Sequence, residues 1–174
     1  MPFLLPFAMV AAFGLAIIEA ICSIGWYSLY FRHGIRLFTK QVPLAIRPMA
    51  LPTVTDLNEG LKGKWGPSLV FKSLSNTEIA FRERAFEFTF FNSTPVMHGL
   101  IRYYPLEGQL EVIGYLNWTV LSFLGIALGF LFVPHMPPFL FFAFLALISL
   151  CYFMQLKRFD RVVAYLGERS KTIA

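Results

Sequence analysis

The chain has 174 residues, of which 57% are hydrophobic and 14% charged, and its formal net charge is +5. The hydrophobic share exceeds the ~45–50% of an ordinary soluble domain, which indicates a membrane protein. The sequence contains no phosphate-binding loop, nucleophile elbow or zinc-ligand spacing, so we expect a protein that is not an enzyme. Its basic residues follow from membrane topology and form no separate cluster, which argues against a nucleic-acid partner.

The charged residues are confined to two parts of the chain. Twenty-four of the 25 lie within residues 32–111 and 157–171, and Glu19 is the exception. The remaining apolar stretches are each long enough to cross a bilayer core of about 30 Å as a helix. We predict three spans, at residues 3–30, 116–133 and 138–156. The first is too long for a typical signal peptide and has no Lys or Arg before it, which favours a permanent helix.

The expected fold class is an α+β membrane protein with three transmembrane helices. One helix is N-terminal, and a C-terminal helical hairpin follows a small antiparallel β-meander inserted between the first and second helices. The segments are transmembrane helix 1 (1–31), a basic, Pro-rich cytoplasmic linker (32–67), a cytoplasmic meander (68–114), the transmembrane hairpin (115–156) and a basic interfacial tail (157–174). Prolines within residues 134–138 indicate the turn of the hairpin.

Alternating residues and turn signals predict the meander of four or five strands. Phe86, Phe88 and Phe90 alternate with polar residues, and a period of two places them on one face of a strand. Residues 99–104 and 109–113 indicate two more strands joined by a hairpin loop. So small a sheet cannot bury an apolar face alone, and we expect the linker, a helix, another protein or the membrane surface to cover it. The arrangement is similar in pattern, though not in residues, to bacterial membrane-anchored PH-like domains.

Basic residues predict the orientation. They follow the first and third spans, whereas the N-terminus and the 134–138 turn contain none. The positive-inside rule therefore places residues 32–111 and the C-terminal tail in the cytoplasm and the N-terminus outside, in the inner membrane of a cell. Arg82, Glu83 and Arg84 flank a strand and are interpreted as part of a solvent-facing strand surface. Six basic residues are expected to contact anionic lipid headgroups: Arg32, Arg36, Lys40, Lys157, Arg158 and Arg161.

Glu19 is the one charged residue inside a predicted span. By helix rise it lies about 18 Å from the cytoplasmic end of that span, near the middle of the membrane. A carboxylate there must be paired, protonated or hydrated, so it serves either as an interhelical hydrogen-bonding group or as a proton or cation relay. Ser122, Gly125 and Gly129 form a small-residue stripe in the second span, and we expect the first span to contact this stripe at the level of Glu19.

No intrinsic cofactor is expected, and structural lipids are the expected bound molecules. His33, His98 and His135 all lie outside the spans, from which an axial ligand of haem or a pigment would project. A pigment or haem held jointly with other subunits stays open. Cys22 and Cys151 belong to no Cys-x-x-Cys motif, so they are interpreted as buried small apolar residues and not as a disulfide or metal site.

The function favoured by this pattern is that of a non-catalytic accessory or scaffold subunit. Twenty phenylalanines and an uncovered sheet face suit a protein that stabilises a larger membrane complex through apolar contacts. Its partners are then other membrane protein subunits and anionic phospholipids. Two alternatives stay open. One is a self-contained membrane protein that binds anionic lipid at the inner leaflet, and the other is a small transporter or channel component that uses Glu19 as a proton or cation site.

Overall fold

The computed structural model describes residues 4–43, 52–61, 69–83, 96–130, 137 and 139–172. Helices and strands both occur there, which confirms the α+β class. The helices are α1 (Leu4–Ile24), α2 (Ser28–Arg32), α3 (Val54–Gly60), α4 (Trp118–Phe130) and α5 (Phe139–Thr172). The strands are β1 (Arg36–Pro43), β2 (Leu69–Ser75), β3 (Glu78–Glu83), β4 (Met97–Tyr104) and β5 (Gln109–Leu116).

The strands form one antiparallel sheet in the order β1-β5-β4-β3-β2. Strands β2 to β5 are a meander, as predicted, and β1 extends the sheet by pairing with β5. The segment 32–67 is therefore not simply a linker, because β1 and α3 both lie in it. Only Phe38 and Val42 of β1 are buried, four residues apart, so this edge strand lacks the alternation that marks a strand in sequence.

One face of the sheet packs against the C-terminal half of α5. Phe159, Val162 and Leu166 lie on one side of this helix, and each is at most 3% exposed. The Phe159 ring contacts the rings of Phe38 and Phe81 on the sheet. Helix α5 is one continuous helix of 34 residues, so the segment from residue 157, which we expect as a basic interfacial tail, continues this helix as far as Thr172. It is the helix that covers the apolar face of the sheet.

The opposite face of the sheet is partly apolar and partly ionic. Tyr30 and Phe31 of α2 are fully buried against it. Elsewhere on this face, Glu78 lies between two guanidinium groups, with Arg32 at 2.7 Å and Arg102 at 3.0 Å. Both faces of this sheet are therefore partly covered by the chain itself.

Two helices in the described part of the chain, and not three, are long and apolar enough to span a membrane. Their apolar windows are Phe7–Ile24 in α1 and Phe141–Ser170 in α5. The core helix of a soluble protein or a signal sequence passes the same test of length and composition. Helix α4 is apolar, and its described part has 13 residues, about 20 Å by helix rise against a bilayer core of about 30 Å.

Some predictions fall on residues that the structure does not describe. The strand expected through Phe86, Phe88 and Phe90 is described only up to Glu83, as β3. His135 and the prolines at 134 and 138 of the expected turn likewise lie outside the described residues.

Gly99 in β4 leaves space for the aromatic core of the sheet. It pairs with Phe81 of β3, and a Cβ atom at Gly99 would lie 2.1 Å from the Phe81 ring. Phe81 is fully buried between Phe71 and Phe159, so its ring cannot move aside. We expect Gly99→Ala to lower the free energy of unfolding by about 1–3 kcal/mol, measured by thermal or denaturant unfolding in detergent.

Gly125→Ala in α4 is the matched control for Gly99→Ala. A Cβ atom at Gly125 would meet nothing within 4 Å. Alanine favours a helix over glycine by up to about 1 kcal/mol, so this variant should be neutral or slightly more stable. Equal losses in the two variants would contradict the packing role of Gly99.

Candidate functional site

A cavity of about 630 Å³ lies where α1, α4 and α5 meet the ends of β3 and β4. Apolar side chains of the three helices form much of its wall, among them Ala16, Phe123 and Ile148. Two polar groups of residues border it on the side of the sheet. The Glu19 cluster comprises Glu19, Tyr30, His98, Asn117 and Thr119, which all line the cavity. The Glu83 cluster comprises Glu83, which lines the cavity, and its hydrogen-bond partners Gln155 and Arg158, which do not.

Glu19 binds the N-terminus of α4. Its carboxylate accepts the backbone N–H groups of Trp118 at 2.8 Å and Thr119 at 2.6 Å, and also the Thr119 hydroxyl. The Tyr30 hydroxyl donates to the same carboxylate at 2.7 Å. A helix N-terminus has unpaired N–H groups and the positive end of the helix dipole, so a carboxylate is a favoured partner there. The buried charge of α1 is therefore satisfied within the chain.

Glu19 lies near the end of α1 and not in the middle of a span. The helix ends at Ile24, and Trp26 follows with a positive φ of 56°. By helix rise, Glu19 is about 8 Å from that end, against the 18 Å expected from sequence. The difference arises because the apolar run is divided between α1 and α2 by a turn of the chain, which hydropathy alone does not reveal.

The small-residue stripe of α4 does not bring another helix close. A Cβ atom at Gly125 or Gly129 would meet nothing within 4 Å. The Ser122 hydroxyl donates to the carbonyl oxygen of Trp118 in its own helix, at 3.2 Å. Helices α1 and α4 do pack together, but Glu19 binds the first turn of α4, before the stripe begins. The close approach expected at Gly125 and Gly129 is therefore absent from the described part of α4 and its neighbours.

His98 links the strands to the Glu19 cluster. Its Nδ1 atom lies 2.8 Å from the Asn117 side chain, and its Nε2 atom lies 3.0 Å from the carbonyl oxygen of Tyr30. A neutral imidazole donates from one nitrogen only. Both contacts are satisfied when Nε2 donates to Tyr30 and the Asn117 amide group turns its NH₂ toward Nδ1. Burial lowers the pKa of His98, which favours this neutral ring, although the two hydrogen bonds oppose the shift.

The lowered pKa of His98 predicts a loss of stability on acidification. In the unfolded chain the ring takes up a proton near pH 6.5, whereas the folded protein resists that proton until a lower pH. The unfolded state therefore binds more protons, and stability should be full above about pH 6.5 and fall below it. Melting temperatures measured between pH 7.5 and pH 5.5 should show this fall. His98→Gln should abolish this fall in melting temperature, whereas His33→Gln, at an exposed site, should keep it. A wild-type melting temperature that does not change over this pH range would refute the prediction.

The Glu83 cluster ties α5 to the start of β4. Gln155 is 1% exposed, and its Oε1 atom accepts the N–H groups of Val96 at 3.0 Å and Met97 at 2.7 Å. Its Nε2 atom donates to Oε1 of Glu83 at 3.0 Å. Arg158 forms an ion pair with the same oxygen. Glu83 and Arg158 thus form a largely buried pair next to the cavity, in contrast to the solvent-facing strand surface expected from sequence.

The six basic residues expected to contact lipid headgroups fall into two sets. Arg32, Lys40 and Arg158 are paired with the carboxylates of Glu78, Asp160 and Glu83. The other three, Arg36, Lys157 and Arg161, have exposed side chains. Contact of these six residues with lipid headgroups stays a prediction.

Several residues of the site were not singled out from sequence. Asn117 and Gln155 are polar residues inside the long uncharged run 112–156. A polar side chain in such a run is a candidate for a buried hydrogen-bonding group, so the sequence could have indicated both. Tyr30 was assigned to the first span, and His98 was considered only as a haem or pigment ligand. No group of three or more His, Cys, Asp or Glu side chains suited to a metal ion occurs among the described residues.

Comparison with known proteins adds no relative. No family model, no curated protein and no solved structure matches this chain.

Proposed function

We propose that this protein is a non-catalytic membrane protein that holds an amphiphilic lipid in the cavity between α1, α4 and α5. The cavity itself carries the proposal. Its volume of about 630 Å³ falls within the ~300–1,000 Å³ of ligand pockets. Its walls are apolar on the helices and polar at the sheet, which suits a molecule with an acyl chain and a headgroup. Two residues that line it, Ala20 and Leu147, are exposed, so the cavity is open to the outside of the helices.

The surfaces of α1 and α5 support a membrane location. Only 11% of an 18-residue apolar window in each helix is buried, whereas the core helix of a soluble protein is mostly buried. Large side chains face outward on both helices, including Phe13 and Ile17 on α1 and Phe142 and Phe153 on α5, each more than half exposed. Lipid chains are the environment that satisfies such surfaces without a cost in free energy.

The proposed orientation places the sheet at the cytoplasmic face of the membrane. Within the described residues, the basic side chains lie on the sheet, on α2 and on the C-terminal half of α5, and α1 carries none. The positive-inside rule then leaves the N-terminus outside. In this orientation the polar end of the cavity lies at headgroup level and its apolar walls extend toward the bilayer core.

Two observed contacts favour the lipid proposal over an accessory subunit and over a proton or cation relay. A role as an accessory subunit was inferred in part from an uncovered sheet face, and α5 covers that face. One of the two roles expected for Glu19 is a proton or cation relay. The hydrogen bonds that its carboxylate accepts from Tyr30, Trp118 and Thr119 support the other role, an interhelical hydrogen-bonding group.

Native mass spectrometry of the full chain, purified in mild detergent, tests the proposed function. We expect the wild-type protein to retain one lipid. Ala16→Phe places a ring in the cavity and should lower that retention about tenfold or more. Ala11→Phe, an exposed site on the same helix outside the cavity wall, should retain lipid like the wild type.

Three results would count against the proposed function. The first is a wild-type protein without bound lipid, and the second is equal lipid retention by Ala16→Phe and Ala11→Phe. The third is a stoichiometric protein partner with no lipid in the cavity, which would favour the accessory subunit.

A further inference from the structure

Glu83 has one carboxylate oxygen without a partner. Its Oε1 atom receives Gln155 and Arg158, whereas Oε2 is buried and has no hydrogen-bond partner in the described structure. The side chain is 3% exposed and borders the cavity. A buried charged acceptor without a donor costs free energy, so this atom marks a place where a donor group is favoured.

Arg82 supplies a second charged contact on the same boundary. Arg82 lines the cavity, and its guanidinium group donates to the carbonyl oxygens of Ser23 at 3.1 Å and Glu83 at 3.1 Å. It also lies 4.9 Å from the centre of the Trp26 ring. These contacts are to neutral groups, whereas a guanidinium binds most strongly to carboxylate or phosphate.

We infer that the cavity selects a zwitterionic phospholipid with a primary ammonium group, which donates to Oε2 of Glu83 while its phosphate contacts Arg82. This inference rests on the proposed lipid-binding function and names the headgroup. The charges around the cavity support a headgroup without net charge. Two carboxylates, Glu19 and Glu83, and one guanidinium group, Arg82, line the cavity, and Arg158, which does not line it, neutralises Glu83 through an ion pair. A purely anionic headgroup offers phosphate to Arg82 but no cationic donor to Glu83.

Three lipids in separate nanodiscs or detergent mixtures distinguish the possible contacts. Phosphatidylethanolamine has both phosphate and an N–H donor. Phosphatidylcholine has the same charges without an N–H donor, and phosphatidylglycerol has phosphate and hydroxyl groups without an ammonium. With equal acyl chains, native mass spectrometry of the full chain should show phosphatidylethanolamine retained about tenfold more than either of the others, as one charged hydrogen bond provides.

Glu83→Gln removes the charge that holds the ammonium group. The variant protein should therefore retain phosphatidylethanolamine no better than it retains phosphatidylcholine. Glu78→Gln is the matched control, because Glu78 is a carboxylate on the same strand that pairs with Arg32 and Arg102 and does not line the cavity. This control should keep the full preference. Should Glu83→Gln fail to fold, stepwise N-methylation of the lipid amine tests the same donor on the wild-type protein, and retention should drop at full methylation.

The possible outcomes distinguish a failure of this inference from a failure of the proposed function. Equal retention of phosphatidylethanolamine and phosphatidylcholine by the wild type overturns the inference about the headgroup and leaves lipid binding intact. Failure to retain any of the three lipids overturns both. A preference for phosphatidylglycerol also overturns the inference, because it shows that phosphate and hydroxyl contacts suffice.

Discussion

Glu19→Leu is expected to lower the free energy of unfolding by about 3–5 kcal/mol, because several donors lose one shared acceptor and each buried unsatisfied donor costs about 1–3 kcal/mol. The substitution leaves the N–H groups of Trp118 and Thr119 and the hydroxyl of Tyr30 without their acceptor. Glu19→Gln keeps one carbonyl oxygen and should cost less, about 1–2 kcal/mol. Unfolding of the purified protein in detergent, followed by circular dichroism, measures both values.

Glu59 on α3 provides the control for this series. Its side chain is exposed, so Glu59→Leu and Glu59→Gln should each change stability by less than about 0.5 kcal/mol. A loss below about 1 kcal/mol for Glu19→Leu would show that the hydrogen bonds at the start of α4 contribute little. If Glu19→Gln instead keeps full stability and abolishes a proton-coupled flux in vesicles, the relay role of Glu19 is the correct one.

Phe159→Ala should lower the free energy of unfolding by about 3–5 kcal/mol, because it opens a cavity between α5 and the sheet. Phe159 is 3% exposed and its ring contacts Phe38 and Phe81. Denaturant unfolding of the full chain in detergent should show a lower midpoint with little change in slope. The measurement tests whether α5 holds the sheet as part of one cooperative unit.

Phe153→Ala on the same helix is the matched control for Phe159→Ala. Phe153 is 59% exposed, so its loss should cost about 1 kcal/mol or less in detergent. Similar losses at the two positions would mean that the α5–sheet contact is absent in solution. A larger loss at Phe153 would indicate that a partner protein covers this face of α5.

The strand pattern was predictable because its signals are local. Residues 99–104 and 109–113, with a hairpin loop between them, mark β4 and β5 in the sequence, whereas the alternation at Phe86, Phe88 and Phe90 lies outside the described residues. The edge strand β1 was not predictable in the same way. Its partner β5 is about 70 residues away along the chain, and only two of its residues are buried. Such a pairing depends on long-range contacts, which no local window contains.

The candidate site was only partly predictable. The isolated charge of Glu19 marked it as a buried polar residue, but its depth and partners depended on where α1 ends. The carboxylate of Glu83 looked like part of a solvent-facing strand because its partners, Gln155 and Arg158, lie on a helix far along the chain. The Gly125 and Gly129 stripe was misleading, since small residues permit a close helix contact without requiring one.

The sequence by itself determined that this chain has long apolar helices, a meander with basic surroundings and one isolated acidic residue in an apolar stretch. These properties depend on composition and on patterns a few residues long. Only the tertiary structure decided that α5 covers the sheet, that Glu19 binds the first turn of α4 and that three helices enclose a cavity beside Glu83. The physical reason is that burial, hydrogen-bond partners and cavities arise between elements, and those contacts exist only once the helices and strands have packed together.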